Sequence, residues 1–256
     1  MSLECAQLNV TVAGRILVRD LKLRLEPGDF TCVLGPNGVG KTLTLLTMAG
    51  LREPDRGEVR LSGVPLAALD RRRLAKRLGM LPQHQSDAFP TTALETAVMG
   101  RYSRTGLWQW DDERDRAIAA DALRKMDLAG FEERMTTTLS GGERRRVGLA
   151  TLLVQDPDIL LLDEPLNHLD PMHKLGLLNL LENLTQSGKI VVASLHDPTL
   201  AVRFATHVLL LSGDGNWQHG TSQELLNTEN LQRIYGTRFG RFARGPQSVL
   251  VPIAPC

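Results

Sequence analysis

Eight consecutive residues, Gly35-Pro36-Asn37-Gly38-Val39-Gly40-Lys41-Thr42, match G-x-x-x-x-G-K-[ST] at every fixed position. That spacing suits phosphate binding. The glycines let the backbone bend so that successive N–H groups face phosphate oxygens. A helix starting at the loop adds the positive end of its dipole. Lys41 supplies a mobile positive charge for the outer phosphates, and Thr42 a hydroxyl for magnesium. A structural Gly-rich turn with a chance lysine would also fit the eight residues. The flanks decide for phosphate: a short apolar run, Phe30 to Leu34, precedes the loop, and a helical pattern, Leu43 to Leu51, follows it.

Other chemistry-bearing residues stand at the ends of apolar runs. Ser140-Gly141-Gly142 opens a helical stretch running to Val154 and makes a second potential anion cradle. Asp163 and Glu164 close a continuous apolar strand that begins near Asp158, as a strand buried on both faces of a parallel sheet should. Gln83 ends a short strand from Gly79. His196 and Asp197 lie just past another buried strand, Ile190 to Leu195.

These segments need an α/β scaffold. Leu8 to Val12 and Val18 to Leu25 alternate like antiparallel strands, with a turn at Pro27-Gly28-Asp29. Arg56 to Gly63 is a turn and strand, and Asp70 to Leu78 a helix with Asp70 as its N-cap. Strand-like runs disappear from Pro90 to Thr138. Ala93 to Met99 and Asp111 to Met126 read as helices, so this stretch is a helical insertion into the α/β core. Trp108 and Trp110, between the two helices, suit either a partner surface or local packing. A helix from Pro171 to Gln186 and a strand from Val208 to Leu211 complete the core. Short helical pieces and a Gly/Pro-bearing tail from Gly236 follow.

Composition removes several function classes. The 256 residues carry a net charge of +1, so nothing global points to nucleic acid or an acidic membrane surface. Arg71, Arg72, Arg73, Lys76 and Arg77 cluster on one helix, but no aromatics interleave for base stacking, and a solvated face is the simpler reading. No run of about 18 apolar residues exists to span a bilayer. The N-terminus does not read as a secretory signal. The three cysteines, Cys5, Cys32 and Cys256, form no C-x-x-C pair, which fits a reducing, cytoplasmic setting.

In this order, the phosphate loop, Gln83, Leu139-Ser140-Gly141-Gly142-Glu143, Asp163-Glu164-Pro165 and His196 resemble an ATP-binding cassette ATPase over nearly all of the chain. The resemblance implies a single cassette domain with a P-loop core at 1–85 and 155–225, mostly parallel in its sheet, with an N-terminal antiparallel β subdomain. It implies an inserted α-helical subdomain at 86–154 and a short C-terminal tail at 226–256. It implies ATP hydrolysis with Mg2+. Thr42 and, directly or through water, Asp163 would hold the ion, Gln83 would offer its side-chain carbonyl to the ion or to the attacking water, Glu164 would polarise that water, and His196 would sense the γ-phosphate. It implies a head-to-tail dimer in which Ser140, Gly141, Gly142 and Glu143 close over ATP held by the other copy's loop. Asp170 would couple the two sites.

Departures from the family pattern carry their own expectations. Val12 stands where an aromatic usually stacks on adenine, so adenine is held more weakly or differently. Leu43 stands where a threonine is common and offers only its backbone N–H to phosphate. Glu143 replaces the commoner glutamine, and Leu166 to Asp170 is a variant of a serine-rich segment. No catalytic group is lost.

Within the family, no heptads support a long coiled coil and only one cassette is present. A transporter subunit remains, with the helical region and Gln83 meeting an integral-membrane permease at the cytoplasmic face of the inner or plasma membrane. Leu81-Pro82-Gln83-His84, Val98 to Tyr102, Gly106-Leu107-Trp108 and the acidic helix from Asp111 look like ATPases of bacterial metal-chelate importers. Those take up iron–siderophore complexes, haem or cobalamin, with cobalamin slightly preferred here, and an extracytoplasmic binding protein delivers the cargo through the permease. The alternative is a non-transport, regulatory or nucleic-acid-associated ATPase, for which the Arg71 to Arg77 face is the support.

Overall fold

The computed structural model describes residues 1–83, 90–104, 112–244 and 247–253. Trp108, Trp110, His84, the Gly106-Leu107-Trp108 segment, Asp111 and Cys256 therefore lie outside the described residues.

Strands β1 (Leu3–Val12) and β2 (Arg15–Leu25) form an antiparallel hairpin. Its two-residue turn, Ala13-Gly14, has φ of 47° and 78°, the sign that matches the twist of the flanking strands. β3 (Phe30–Leu34), buried throughout, leads through the glycine loop into α1 (Lys41–Met48). β4 (Arg56–Leu61) pairs with β1, and β5 (Val64–Pro65) with β4. α2 (Arg71–Arg77) is capped by the Asp70 carboxylate, which accepts from the N–H groups of Arg72 and Arg73. After β6 (Leu78–Leu81) come α3 (Ala93–Val98), α4 (Glu113–Lys125) and α5 (Gly141–Gln155). β7 (Ile159–Leu162), α6 (Pro171–Gln186), β8 (Ile190–Ser194), α7 (Pro198–Phe204) and β9 (His207–Leu211) alternate. β10 (Trp217–Thr221), α8 (Ser222–Leu225), α9 (Thr228–Tyr235), β11 (Arg238–Arg244) and β12 (Gln247–Ile253) follow.

The central sheet has the order β10-β9-β3-β8-β7-β6, parallel except for the β10 edge. Successive side chains on a strand face opposite sides, and here each side has its own core. Cys32, Leu34, Leu160, Leu162, Val191, Ala193, Val208 and Leu210 join the core that holds α3 to α7 and α9. Val33, Ile159, Leu161, Ile190, Val192, Leu209 and Leu211 join the core shared by α1 and the antiparallel strands β1, β2 and β4. That double burial explains the continuous apolar strands.

Several boundaries move. The helix after the glycine loop begins at Lys41, not Leu43, and ends at Met48. β1 begins at Leu3, because Leu3, Cys5 and Leu8 continue the buried face. β7 stops at Leu162, before the carboxylates, which belong to a turn. The stretch from Gly236 is not an irregular tail. β11 and β12 pair as a hairpin that buries Leu250 in the core with Leu231 and Ile234 of α9.

Candidate active site

The chemistry-bearing segments leave the carboxyl ends of neighbouring parallel strands: the glycine loop from β3, Gln83 after β6, Asp163 and Glu164 after β7, His196 after β8. A ligand crevice is expected at that edge of an open parallel sheet. A cleft of about 390 Å³ lies there, lined by Val12, Leu17, Asn37, Gly38, Gly40, Lys41, Thr42, Leu43, Gln83, Glu164 and His196. Ser140 to Glu143 and Asp170 do not line it; they sit at the N-termini of α5 and α6.

The loop needs its glycines. Gly35 has φ of 149°, and a Cβ there would stand 2.3 Å from the Leu211 carbonyl oxygen. Gly40 caps α1 in the left-handed region with no side-chain cap, so no side chain competes for the helix start. Lys41 is buried. Its ammonium donates to the carbonyl oxygens of Gly35 (2.7 Å) and Pro36 (2.9 Å). Burial pushes its pKa below the ordinary lysine value, and the charges of Glu164 and Asp163 oppose that shift.

Asp163 is buried, with its Oδ1 accepting from Ser194 Oγ at 2.7 Å. The same Ser194 Oγ accepts the Glu164 N–H at 2.7 Å. Asp163 Oδ2 has no hydrogen-bond partner among the described residues. Glu164 collects donors from three segments. Gln83 Nε2 donates to its Oε2 at 2.8 Å, Asn167 Nδ2 donates to the same oxygen, and His196 Nε2 lies 2.8 Å from Oε1. The carboxylate is thereby fixed in orientation beside the loop.

The second cradle is built at the start of α5. Ser140 Oγ accepts the Glu143 N–H, and Glu143 Oε2 accepts the Ser140 N–H at 2.7 Å, a capping box. Those bonds hold the Glu143 carboxyl below its usual pKa range. Glutamate thus serves the turn where the family commonly has glutamine. A Cβ at Gly142 would meet the His168 carbonyl oxygen at 2.6 Å, so only glycine fits. Asp170 caps α6, accepting the His173 N–H at 3.0 Å and contacting His173 Nδ1 at 2.6 Å.

Sequence reasoning did not single out Ser194, Asn167, Arg145 or Tyr235 for this site. Gly35 N–H donates to Tyr235 Oη at 3.2 Å, and burial raises that phenol to about 12. Arg145, in α5, is buried and reaches carbonyl oxygens near Gln83 and at Asp163. Burial lowers its pKa to about 10, against the pull of Asp163 and Glu164. Asn167 stood in view as a variant residue. Its contact with Glu164, three positions away, was the available signal.

Val12 is half exposed and faces the cleft. Replacing it with tyrosine should tighten ATP binding at least about fivefold, since a base–aromatic stack contributes about 1–3 kcal/mol. Calorimetry returning an unchanged Kd would mean that another side chain already covers adenine.

A strand-loop-helix phosphate site after β3, paired carboxylates after β7 of the same sheet, and a capped glycine cradle on a separate helix define a P-loop ATPase of the cassette type. Residues 18–167 match the family model described as ABC transporter. The chain is 34% identical to the hemin import ATP-binding protein HmuV of Rhizobium meliloti (strain 1021), over 92% of each chain. It superposes on a metal-chelate type ABC transporter in an inward-facing conformation, at 26% identity and a TM-score of 0.84. That match covers 99% of this chain and 98% of the other. A dimeric ATP-binding cassette in a post-hydrolysis state, bound to ADP and Pi, gives 26% identity and a TM-score of 0.76, covering 86% of this chain and 98% of that one. This chain belongs to the ABC transporter family, and it is an ATPase. Among the described residues no helix is long and apolar enough to cross a membrane.

Proposed function

We propose that this chain is the ATP-binding and ATP-hydrolysing subunit of a bacterial importer for haem or another iron chelate. The observation that carries the catalytic part is the convergence of Gln83, Asn167 and His196 on the Glu164 carboxylate beside the phosphate loop. Glu164 takes the proton of the water that attacks the γ-phosphate. Lys41 and the loop N–H groups hold the phosphates, and His196 contacts the γ-phosphate. The donor set suits Mg2+, which takes oxygen ligands: Asp163 Oδ2 is buried without a partner among the described residues, and Thr42 and Gln83 line the cleft. When bound there, the ion would neutralise phosphate charge.

Two copies would meet head to tail, each cradle of Ser140 to Glu143 closing over the other's nucleotide, with Asp170 near the seam. The dimeric cassette with ADP and Pi supports that arrangement. The helical unit at 86–154 is supported by the packing of α3, α4 and α5 on one another. With Gln83 it would meet the permease at the cytoplasmic face of the membrane, and an extracytoplasmic binding protein would deliver cargo. The relative's hemin import favours haem as cargo, and the metal-chelate transporter widens the class to iron chelates. Cobalamin, preferred on sequence resemblance, has no such support.

The test is an affinity pull-down of the Glu164→Gln protein from detergent-solubilised membranes of its host. A polytopic permease should come with it. Soluble proteins or nucleic acid alone, in a preparation where known membrane partners survive, would favour a non-transport ATPase.

A further inference from the structure

One buried guanidinium connects the glycine cradle with the catalytic turn of the same chain. Arg145 lies five residues beyond Ser140, within the first turns of α5. Its Nη1 donates to the carbonyl oxygen of Pro82 and, at 3.4 Å, to that of Gln83. Its Nη2 donates to the carbonyl oxygen of Asp163. These acceptors are main-chain atoms of two segments, one 62 and 63 residues upstream of Arg145 and the other 18 residues downstream. The planar fork of arginine can bridge them; a point-charged ammonium cannot.

The Asp163 carbonyl belongs to the peptide group whose N–H is that of Glu164. That N–H donates to Ser194 Oγ. Both poles of one peptide plane are therefore pinned, from α5 on one side and β8 on the other. The plane leads into a residue that needs holding. Glu164 has φ of 48°, in the left-handed region that non-glycine residues rarely adopt. Such a conformation persists only where the surroundings over-determine it, and such residues cluster at active sites.

We infer that Arg145 is a positioning residue: it fixes the peptide plane before Glu164 and the backbone at Gln83 to the helix that bears the Ser140-Gly141-Gly142 cradle. This rests on the catalytic and dimeric reading above. A displacement of α5, as when a cradle closes on the other copy's nucleotide, is then passed directly to Gln83 and Glu164. Among the described residues the hydrogen bonds of Arg145 go to Pro82, Gln83 and Asp163 and not to the phosphate loop, so ATP affinity should be independent of it.

The experiment measures steady-state ATPase, ATP Kd and melting temperature for wild type, Arg145→Met and Arg145→Lys. Arg145→Met should lower kcat at least about tenfold and leave Kd within about twofold. Arg145→Lys keeps the charge and the stem, and protects against a simple folding failure, but cannot fork between the two segments. It should still lose at least about fivefold in kcat at unchanged Kd. Wild-type kcat in Arg145→Lys would overturn the inference. So would a loss of kcat matched by an equal loss of ATP affinity or of folded protein. Wild-type protein without turnover would overturn the parent reading and this inference together, whereas wild-type turnover with an unaffected Arg145→Lys removes this inference alone.

Discussion

Glu164→Gln should bind ATP about as tightly as the wild type, hydrolyse it at least about a hundredfold more slowly, and accumulate as a dimer. The amide is isosteric with the carboxylate, and its oxygen can still accept from Gln83 or Asn167. What is lost is the basic oxygen that accepts the proton of water. General base catalysis contributes about 10²- to 10⁴-fold, so the loss falls within that range. ATP that is held and not cleaved keeps the two copies together. Light scattering with Mg-ATP reads the dimer, and phosphate release reads the turnover. Normal turnover in this variant would remove Glu164 from its assigned role.

Asp163→Asn should separate activity from stability. The carboxylate is buried, one oxygen is satisfied by Ser194, and the other has no partner among the described residues. An amide keeps the Ser194 bond through its oxygen and removes the charge. We expect kcat to fall at least about a hundredfold, since electrostatic stabilisation of the transferring phosphoryl group depends on a held cation. Mg2+ should tighten ATP binding to the wild type and have no such effect on the variant. The melting temperature should hold or rise, because a buried charge costs more to desolvate than a neutral amide. A large fall in melting temperature, or ATP binding that still responds to Mg2+, would count against this account.

The site was legible where side-chain type and spacing do the work. Gly35 to Thr42, Ser140 to Gly142 and Asp163-Glu164 announce themselves because φ above zero, close approach and negative charge each demand particular residues. The parallel sheet was legible because burial on both faces leaves unbroken apolar runs such as Ile159 to Leu162. Arg145 was not. In the sequence it is the middle of three arginines, and only the fold shows that its donors meet backbone carbonyls on distant segments. Ser194 was hidden in the same way, as a small polar residue at the end of an apolar strand. The β11–β12 hairpin was read as a tail because Gly236, Gly240 and Pro252 punctuate it, and its inward residues, Phe239 and Leu250, are too few to display a period. The carbonyls of Gly35 and Pro36 that hold Lys41 were hidden too, since they come from backbone geometry alone.

The two cores on either face of the central sheet have a consequence for how the chain can diverge. On β7, Leu160 and Leu162 answer to the helices, while Ile159 and Leu161 answer to α1 and the antiparallel strands. A change in side-chain volume at an even position must be accommodated on the helical side, and one at an odd position on the other. Neither disturbs the residues that face the opposite way. The packing of the helices on one face can therefore change without repacking α1 and the antiparallel strands on the other, although both are threaded through the same strands.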